Sequence, residues 1–262
     1  MGYPDCMRSS LKGHYIGMNK EFRYRGEETT RIETLSDAVF AIAIGLLLIS
    51  TTPPVTYYQL QQFTKDIIPF ALCIALISII WYEHFTFFIR YGFRNAYIVF
   101  LNTLLLFIVL FYVYPLKFLA RLLVMLFTNF IHIMQHGNSN EIWQPFLFTM
   151  EDGTVSELMA IYGTGAMSIF LVLMLMYRYA LKKAPELELN ELEKFDTRIS
   201  IQTNLLMASI PALSVVLALS FGETRLGNNL SGFVYFLYMP VMFMHGSRVA
   251  RQRKKLLENQ GA

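Results

Sequence analysis

Residues 30–49 have the sequence TRIETLSDAVFAIAIGLLLI, and this stretch decides the class of fold. Thr30 and Glu33 have the spacing of a capping box, so the sequence predicts a helix that begins at Arg31. Beyond Asp37, residues 38–49 carry no charge. The stretch therefore predicts a helix that passes from a polar first turn into a membrane.

The composition of the whole chain agrees with lipid as the surrounding solvent. The 262 residues are 55% hydrophobic and 16% charged, whereas about a quarter of the residues of a soluble domain are charged. The net charge of +3 is too small to suggest nucleic-acid binding. Cys6 lies in a polar tail and Cys73 in an apolar run, so we expect both thiols to be free.

Six runs along the chain are candidate membrane spans, since a spanning helix needs roughly 20 apolar residues. They are Leu35–Ser50, Ile67–Ile89, Ala96–Pro115, Leu158–Leu181, Ile199–Phe221 and Leu230–His245. The sequence thus predicts an all-α, polytopic membrane protein with six transmembrane helices. Pro211 and Pro240 lie in the last two runs, and each should kink its helix because proline lacks a backbone N–H.

The distribution of lysine and arginine predicts the orientation. With six spans and the N-terminus inside, 18 of the 22 basic residues fall on inner segments, and the exceptions are Lys65, Lys117, Arg121 and Arg225. Cytoplasmic loops of membrane proteins carry such an excess. We therefore predict a cytoplasmic segment at 1–30, a six-span transmembrane domain at 31–248 and a basic cytoplasmic tail at 249–262, in a prokaryotic cell membrane.

The apolar run that contains Pro115 continues to about Met134, which raises the question of a seventh span. A seventh span would place the basic tail outside, so we expect an outer loop with an interfacial helix, 117–153. Its polar residues recur on one helical stripe, at Arg121, Asn129, His132 and His136. The acids of the linker 182–196 are predicted to form a solvated face.

Ser36 and Asp37 lie about 9 to 10 Å above the start of the first helix, at roughly 1.5 Å per residue. An acid at that depth needs a partner, which we expect on another helix or another subunit. Above it, Ala38, Ile42, Gly45 and Ile49 form one face of small and aliphatic residues. Periodicity does not distinguish helix packing from pore lining, so both interpretations stand.

Three parts of the chain resemble a known family. The first helix opens with Arg31 and Leu35-Ser36-Asp37, followed by the run Ala-Val-Phe-Ala-Ile-Ala-Ile. This stretch resembles Arg-x-x-x-Phe-Ser-Asp, the signature of the transmembrane protein 175 family. That family contains the lysosomal potassium channel and its prokaryotic homologues. Trp81-Tyr82-Glu83-His84 is similar to the Trp-x-Asn-His of that family, and Leu101-Asn102 and Tyr114-Pro115 agree with its third span. The resemblance is dense over residues 31–116.

The resemblance implies a homotetramer in which the first helix of each subunit surrounds a potassium-permeable path without a TVGYG loop. It implies a hydrophobic gate at Ile42 and a second apolar ring at Ile49, with Gly45 and Leu46 between them in the pore. It also implies a hydrogen-bonded network at the cytoplasmic end, formed by Arg31, Ser36, Asp37, Trp81, His84 and Asn102. The partners implied are further copies of the chain, membrane lipid and monovalent cations, with no cofactor or bound metal.

The chain departs from the pattern of the family at three positions. Leu35 replaces phenylalanine, and Gly45 replaces a threonine whose hydroxyl helps favour potassium over sodium, which affects the expected selectivity. Glu83 replaces asparagine, and it either adds negative charge near the inner mouth or pairs with Arg90 or Arg94.

Two other functional classes, a transporter and an enzyme, are alternatives to a channel. A secondary transporter or proton-conducting protein would use Asp37 and His84 as a relay. An enzyme is not expected, because the sequence has no Gly-x-Ser-x-Gly motif and no Gly-rich phosphate loop. His132 and His136 have the i, i+4 spacing of metal ligands, but they stand at a loop margin without an intervening acid, so we expect a surface pair.

Overall fold

The computed structural model describes residues 22–26, 28–49, 55–136, 154–221 and 230–260, and in these ranges it is helical with no strand. We number the α-helices in chain order. They are α1 Arg31–Ile49, α2 Tyr57–Lys65, α3 Ile67–Tyr91, α4 Ala96–His136, α5 Thr154–Lys182, α6 Glu191–Phe221 and α7 Tyr238–Gln260. Residues 230–233 are also helical, and a short 3-10 turn, Val234–Leu237, joins them to α7.

Helix α1 begins where the capping box predicts. The backbone N–H of Thr30 donates to the Glu33 carboxylate at 3.0 Å, and the Glu33 N–H donates to the Thr30 hydroxyl at 3.3 Å. One face of α1 packs against α3 and α4 and buries Phe40, Ala43 and Leu47. The helix is therefore fixed at its first turn by a cap and along one side by an apolar core.

Four stretches of the described chain are long and apolar enough to cross a membrane. They are Ile67–Tyr91, Ala96–Met125, Ser156–Lys182 and Glu191–Phe221. Helices α1 and α7 are not among these four. Helix α1 has 19 residues with charges at Arg31, Glu33 and Asp37, and the second half of α7 is basic.

Helix α4 runs through Pro115 without a break, as one helix of 41 residues. At 1.5 Å per residue it is about 60 Å long, roughly twice the hydrocarbon thickness of a bilayer. The stretch after Pro115, which we expected to contain an interfacial helix, is helical as far as His136 and continues α4. The side chains of Asn129, His132 and His136, and the loop 137–153, lie outside the described residues.

Pro211 and Pro240 have different consequences. Helix α6 continues past Pro211, whose missing N–H leaves the carbonyl of Met207 without its helical donor. The Tyr238 hydroxyl donates to that carbonyl at 2.8 Å. Near Pro240 the chain forms the 3-10 turn Val234–Leu237 and then begins α7, consistent with the tolerance of proline in a first helical turn.

Two glycines allow close packing around α5. A β-carbon at Gly163 would lie 2.5 Å from the Val215 side chain on α6, and one at Gly165 would lie 2.2 Å from the Tyr112 ring on α4. Small residues let transmembrane helices approach closely. Helix α5 thereby joins α6 to the core that supports α1.

Candidate pore helix and its polar network

Helix α1 has one face that the rest of the described chain leaves uncovered. The side chains of Leu35 and Ile42 are 61% and 56% exposed, and Ala38 between them is exposed as well. Arg31, also exposed, lies four residues before Leu35 at the base of the same stripe. The aliphatic face predicted from the sequence thus points away from the rest of the described chain.

The other three positions of the predicted pore lining differ from one another. A β-carbon at Gly45 would meet nothing within 4 Å, so this position also opens away from the rest of the described chain. Leu46 is partly buried and packs against the core. Ile49 ends the helix, and its side chain lies outside the described residues.

The opposite face of α1 carries a buried chain of hydrogen bonds. The Nε2–H of His84 on α3 donates to Oδ1 of Asn102 on α4 at 2.7 Å, and Nδ2 of Asn102 donates to the Ser36 hydroxyl at 2.9 Å. Ser36 in turn donates to the carbonyl of Ile32 at 2.8 Å. The Ser36 hydroxyl donates its one hydrogen to Ile32, so it must accept from Asn102, and the amide therefore turns Nδ2 toward Ser36 and Oδ1 toward His84. Because Oδ1 only accepts, Nε2 of His84 carries a proton.

The three side chains of this network are almost fully buried, with exposures of 0% for Ser36, 1% for His84 and 2% for Asn102. A buried polar group requires a hydrogen-bond partner, and each finds one on a different helix. The network therefore joins α1, α3 and α4 at one level. We expected the Asn102 amide to have a partner, and it has two, Ser36 and His84.

Asp37 has a separate partner. The indole Nε1–H of Trp81 on α3 donates to its carboxylate at 2.8 Å. This agrees with the expectation that the partner of Asp37 would lie on another helix. Trp81 also stacks on Phe85, with ring centroids 5.6 Å apart, which orients the indole toward α1.

Two contacts that the sequence allowed are not found among the described residues. Arg31 makes no hydrogen bond or ion pair with any residue that the structure describes, so it does not join the network within one chain. Glu83 forms no ion pair with Arg90 or Arg94: Arg94 lies 3.7 Å from Glu28, and Arg90 donates to Ser200 at 3.2 Å.

The sequence did not reveal one cluster, because its acid belongs to the linker that we expected to be solvated. The Glu193 side chain is fully buried and accepts hydrogen bonds from Arg23 and Arg25, at 3.1 and 2.9 Å for the closest guanidinium atoms. Asn190 and Glu193 also form a capping box at the start of α6. The Asn-x-x-Glu spacing was the available signal.

Basic side chains lie at the opposite end of α1. Lys117 on α4 donates to the carbonyl of Leu47, in the last turn of α1, at 2.8 Å. Arg121 is paired with Asp66, at the start of α3. In the part of the chain covered by the structure, no three histidine, cysteine or acidic residues are grouped as a metal site would require.

Comparison with known proteins identifies the family. The chain is 45% identical over 246 residues to a protein from Marivirga tractuosa named "Potassium channel", covering 93% of this chain and 97% of that protein. The chain belongs to the TMEM175 family. The family model "Endosomal/lysosomal potassium channel TMEM175" matches residues 31–112, which include every site residue predicted above.

A solved structure agrees with this assignment. The chain is similar to the crystal structure of the potassium channel MtTMEM175, T38A variant, in complex with a nanobody–MBP fusion protein, with a TM-score of 0.78 and 45% identity over 90% of this chain and 100% of that one. A lysosomal potassium-selective TMEM175 homolog from Chamaesiphon minutus is 18% identical, with a TM-score of 0.49 over 84% of this chain and 96% of that one. The resemblance found in the sequence is confirmed, and the family is one of ion channels rather than enzymes.

Proposed function

We propose that this chain is the subunit of a potassium-permeable channel in which α1 lines the pore and Ile42 forms the constriction. The observation that carries the proposal is the exposure of Ile42, on a charge-free face that its own chain leaves uncovered, in a member of a potassium channel family. The permeant ion is K⁺, and the channel needs no cofactor.

The position of Arg31 favours a pore over lipid contact for this face. One stripe of α1 consists of residues at alternating spacings of four and three, namely Arg31, Leu35, Ala38, Ile42, Gly45 and Ile49. Arg31 is exposed and finds no partner among the residues that the structure describes, and a water-filled entrance would satisfy its charge. In a ring of copies, Arg31 would stand at the entrance and find its partner on a neighbouring subunit.

The chemistry of the stripe defines the type of gate. The sequence contains no TVGYG segment, so ring-forming carbonyls of the usual potassium filter are not part of the proposal. An apolar ring can close a pore by excluding water. We therefore propose Ile42 as the main ring and Ile49 as a second one, with Gly45 and Leu46 on the wall between them.

The full proposed assembly is a homotetramer with six transmembrane helices per subunit. The four apolar helices α3 to α6 would be joined by α1 at the axis and by the segment that leads into α7. Both termini would be cytoplasmic, since the basic residues concentrate on that side. The buried network of Ser36, His84 and Asn102 would hold α1 against α3 and α4 while its other face meets the pore.

The proton-relay alternative has less support. It requires proton exchange between Asp37 and His84, but Asp37 is bonded to Trp81 while His84 donates to Asn102. Among the described residues no hydrogen bond joins the two. Saturable, pH-coupled flux would favour this alternative over a channel.

The test is a potassium flux assay with the purified protein in liposomes. Replacing Ile42 with Asn should hydrate the constriction and raise the basal flux, since hydrophobic gates open when their ring becomes polar. Ile79→Asn is the matched control, because Ile79 is 53% exposed on α3 and lies outside the proposed pore. Equal flux of Ile42→Asn and the wild type would remove Ile42 from the gate.

A further inference from the structure

The segment that leads into α1 is attached to the body of the protein by the Glu193 cluster, which consists of Glu193, Arg23 and Arg25. Glu193 accepts from the backbone N–H of Arg23 at 2.9 Å and from the guanidinium groups of both arginines. The Arg23 guanidinium also donates to the carbonyl of Glu188, in the linker before α6. The cluster joins two parts of the chain that are 170 residues apart.

The same segment is also held by α3. The N–H of Gly26 donates to the carbonyl of Ile89 at 3.0 Å. Phe22 is buried against the Tyr91 ring, with centroids 5.8 Å apart, and the Arg90 guanidinium lies over its face. Residues 22–26 are therefore fixed to the ends of both α3 and α6.

Only four residues, 27–30, separate this attached segment from the first residue of α1. An extended chain spans at most about 3.6 Å per residue, so the linkage keeps Arg31 within about 18 Å of the attached segment. A displacement of the attached segment can therefore reach α1, which is one continuous helix from Arg31 past Ile42 to Ile49.

We propose that Glu193 is a positioning residue for the gate: by holding Arg23 and Arg25, it sets where α1 stands and how closely the Ile42 side chains approach one another. This inference rests on the proposed function, because it assumes that Ile42 forms the constriction. Glu193 does not touch the pore, and it acts through the segment that precedes α1.

Loss of the Glu193 charge should release the segment without unfolding the protein. The side chains of Arg23 and Arg25 are 56% and 20% exposed, so both can be hydrated once the acid is removed. Glutamine can still serve as the third residue of a capping box with Asn190. Glu193→Gln therefore removes the charge and leaves the start of α6 capped.

The experiment compares Glu193→Gln with Glu191→Gln in the same potassium flux assay. Glu191 is two residues away on α6, is 68% exposed, and pairs with Lys194 within the same helix. We expect Glu193→Gln to raise the basal flux at least about threefold, as mutations in coupled networks do. The exposed control should leave the flux close to that of the wild type.

A double variant tests whether Glu193 acts through Arg25. Arg25→Gln should raise the flux in the same direction, and the combination of Arg25→Gln with Glu193→Gln should raise it no further than the larger single effect. Additive effects of the two substitutions would overturn the proposal. Unchanged or lower flux in Glu193→Gln, with the assembly intact by size-exclusion chromatography, would also overturn it.

A second measurement does not depend on conduction. The thiol of Leu35→Cys, in a chain that also carries Cys6→Ser, is labelled by a water-soluble maleimide at a rate that reports the position of α1. Glu193→Gln should change this rate at least about threefold, and Glu191→Gln should not. If the wild type carries no potassium but the labelling rate changes, the proposed function fails and the positioning role stands. An unchanged labelling rate overturns the positioning role.

Discussion

The imidazole Nε2 of His84 lies 2.7 Å from Oδ1 of Asn102, and neither side chain is more than 2% exposed. Asn102 is the central member of the buried network, because its amide accepts from His84 and donates to Ser36. The amide thus links helix α4 to both α3 and α1. Three helices are therefore joined in this network through one side chain.

Replacing Asn102 with leucine should therefore destabilise the subunit. The substitution leaves His84 and Ser36 buried without that partner, and an unsatisfied buried group costs about 1–3 kcal/mol. The free energy of unfolding can be measured in mixed detergent micelles. Thr103→Val is the control, since Thr103 is exposed and donates only within its own helix; equal losses for the two variants would contradict the role of Asn102.

Gly45→Thr should raise the preference for potassium over sodium. The resemblance to the family implies a threonine hydroxyl at this position, and a β-carbon on Gly45 meets nothing within 4 Å, so the side chain fits within the subunit. We expect the permeability ratio to rise about twofold or more, since pore-lining oxygens contribute to selectivity.

The ratio can be measured from reversal potentials in planar bilayers with potassium on one side and sodium on the other. Gly246→Thr is the matched control, because a β-carbon there also meets nothing within 4 Å and Gly246 lies on α7, outside the proposed pore. A ratio that stays at the wild-type value in Gly45→Thr would show that position 45 does not contact the permeant ion.

Gly26→Ala should weaken the attachment of the segment before α1. A β-carbon on Gly26 would lie 2.3 Å from the carbonyl oxygen of Phe88, and that backbone atom belongs to helix α3 and cannot easily move. Overpacking of this kind costs typically about 1–3 kcal/mol. The measurement is thermal unfolding in detergent, with Gly246→Ala as the control that should not lose stability.

Tyr238→Phe should destabilise the contact between the last helix and α6. The Tyr238 hydroxyl donates to the carbonyl of Met207, which lacks its helical donor because of Pro211. Its loss should cost about 1 kcal/mol. In a Pro211→Ala background the restored backbone N–H competes for the same carbonyl, so Tyr238→Phe should cost less there. An equal cost in both backgrounds would contradict this account.

Short-range signals in the sequence were enough for α1. The capping box at Thr30 and Glu33 is present as predicted, and the need of Asn102 for a partner is met. Both conclusions follow from rules that involve one helix or one buried group. The partner of Asp37 could be expected on another helix, but the choice of Trp81 depends on how α1 and α3 pack.

Contacts between distant residues are what the sequence did not predict. Helix α4 continues through Pro115, and the Pro115 carbonyl accepts from the Tyr162 hydroxyl of α5 at 2.6 Å. The burial of Glu193 depends on two arginines 168 and 170 residues away. An alternation of acids and leucines near a lysine pair does not reveal such partners.

The length of the charge-free part of α1 has an electrical consequence. Residues 38–49 extend about 18 Å at 1.5 Å per residue, which is less than the roughly 30 Å of the hydrocarbon core. If water enters from both ends as far as this section, most of the voltage across the membrane falls over these three turns. A blocking ion that stops beside Ile42 would then sense a large fraction of the applied potential, so its block should depend steeply on voltage.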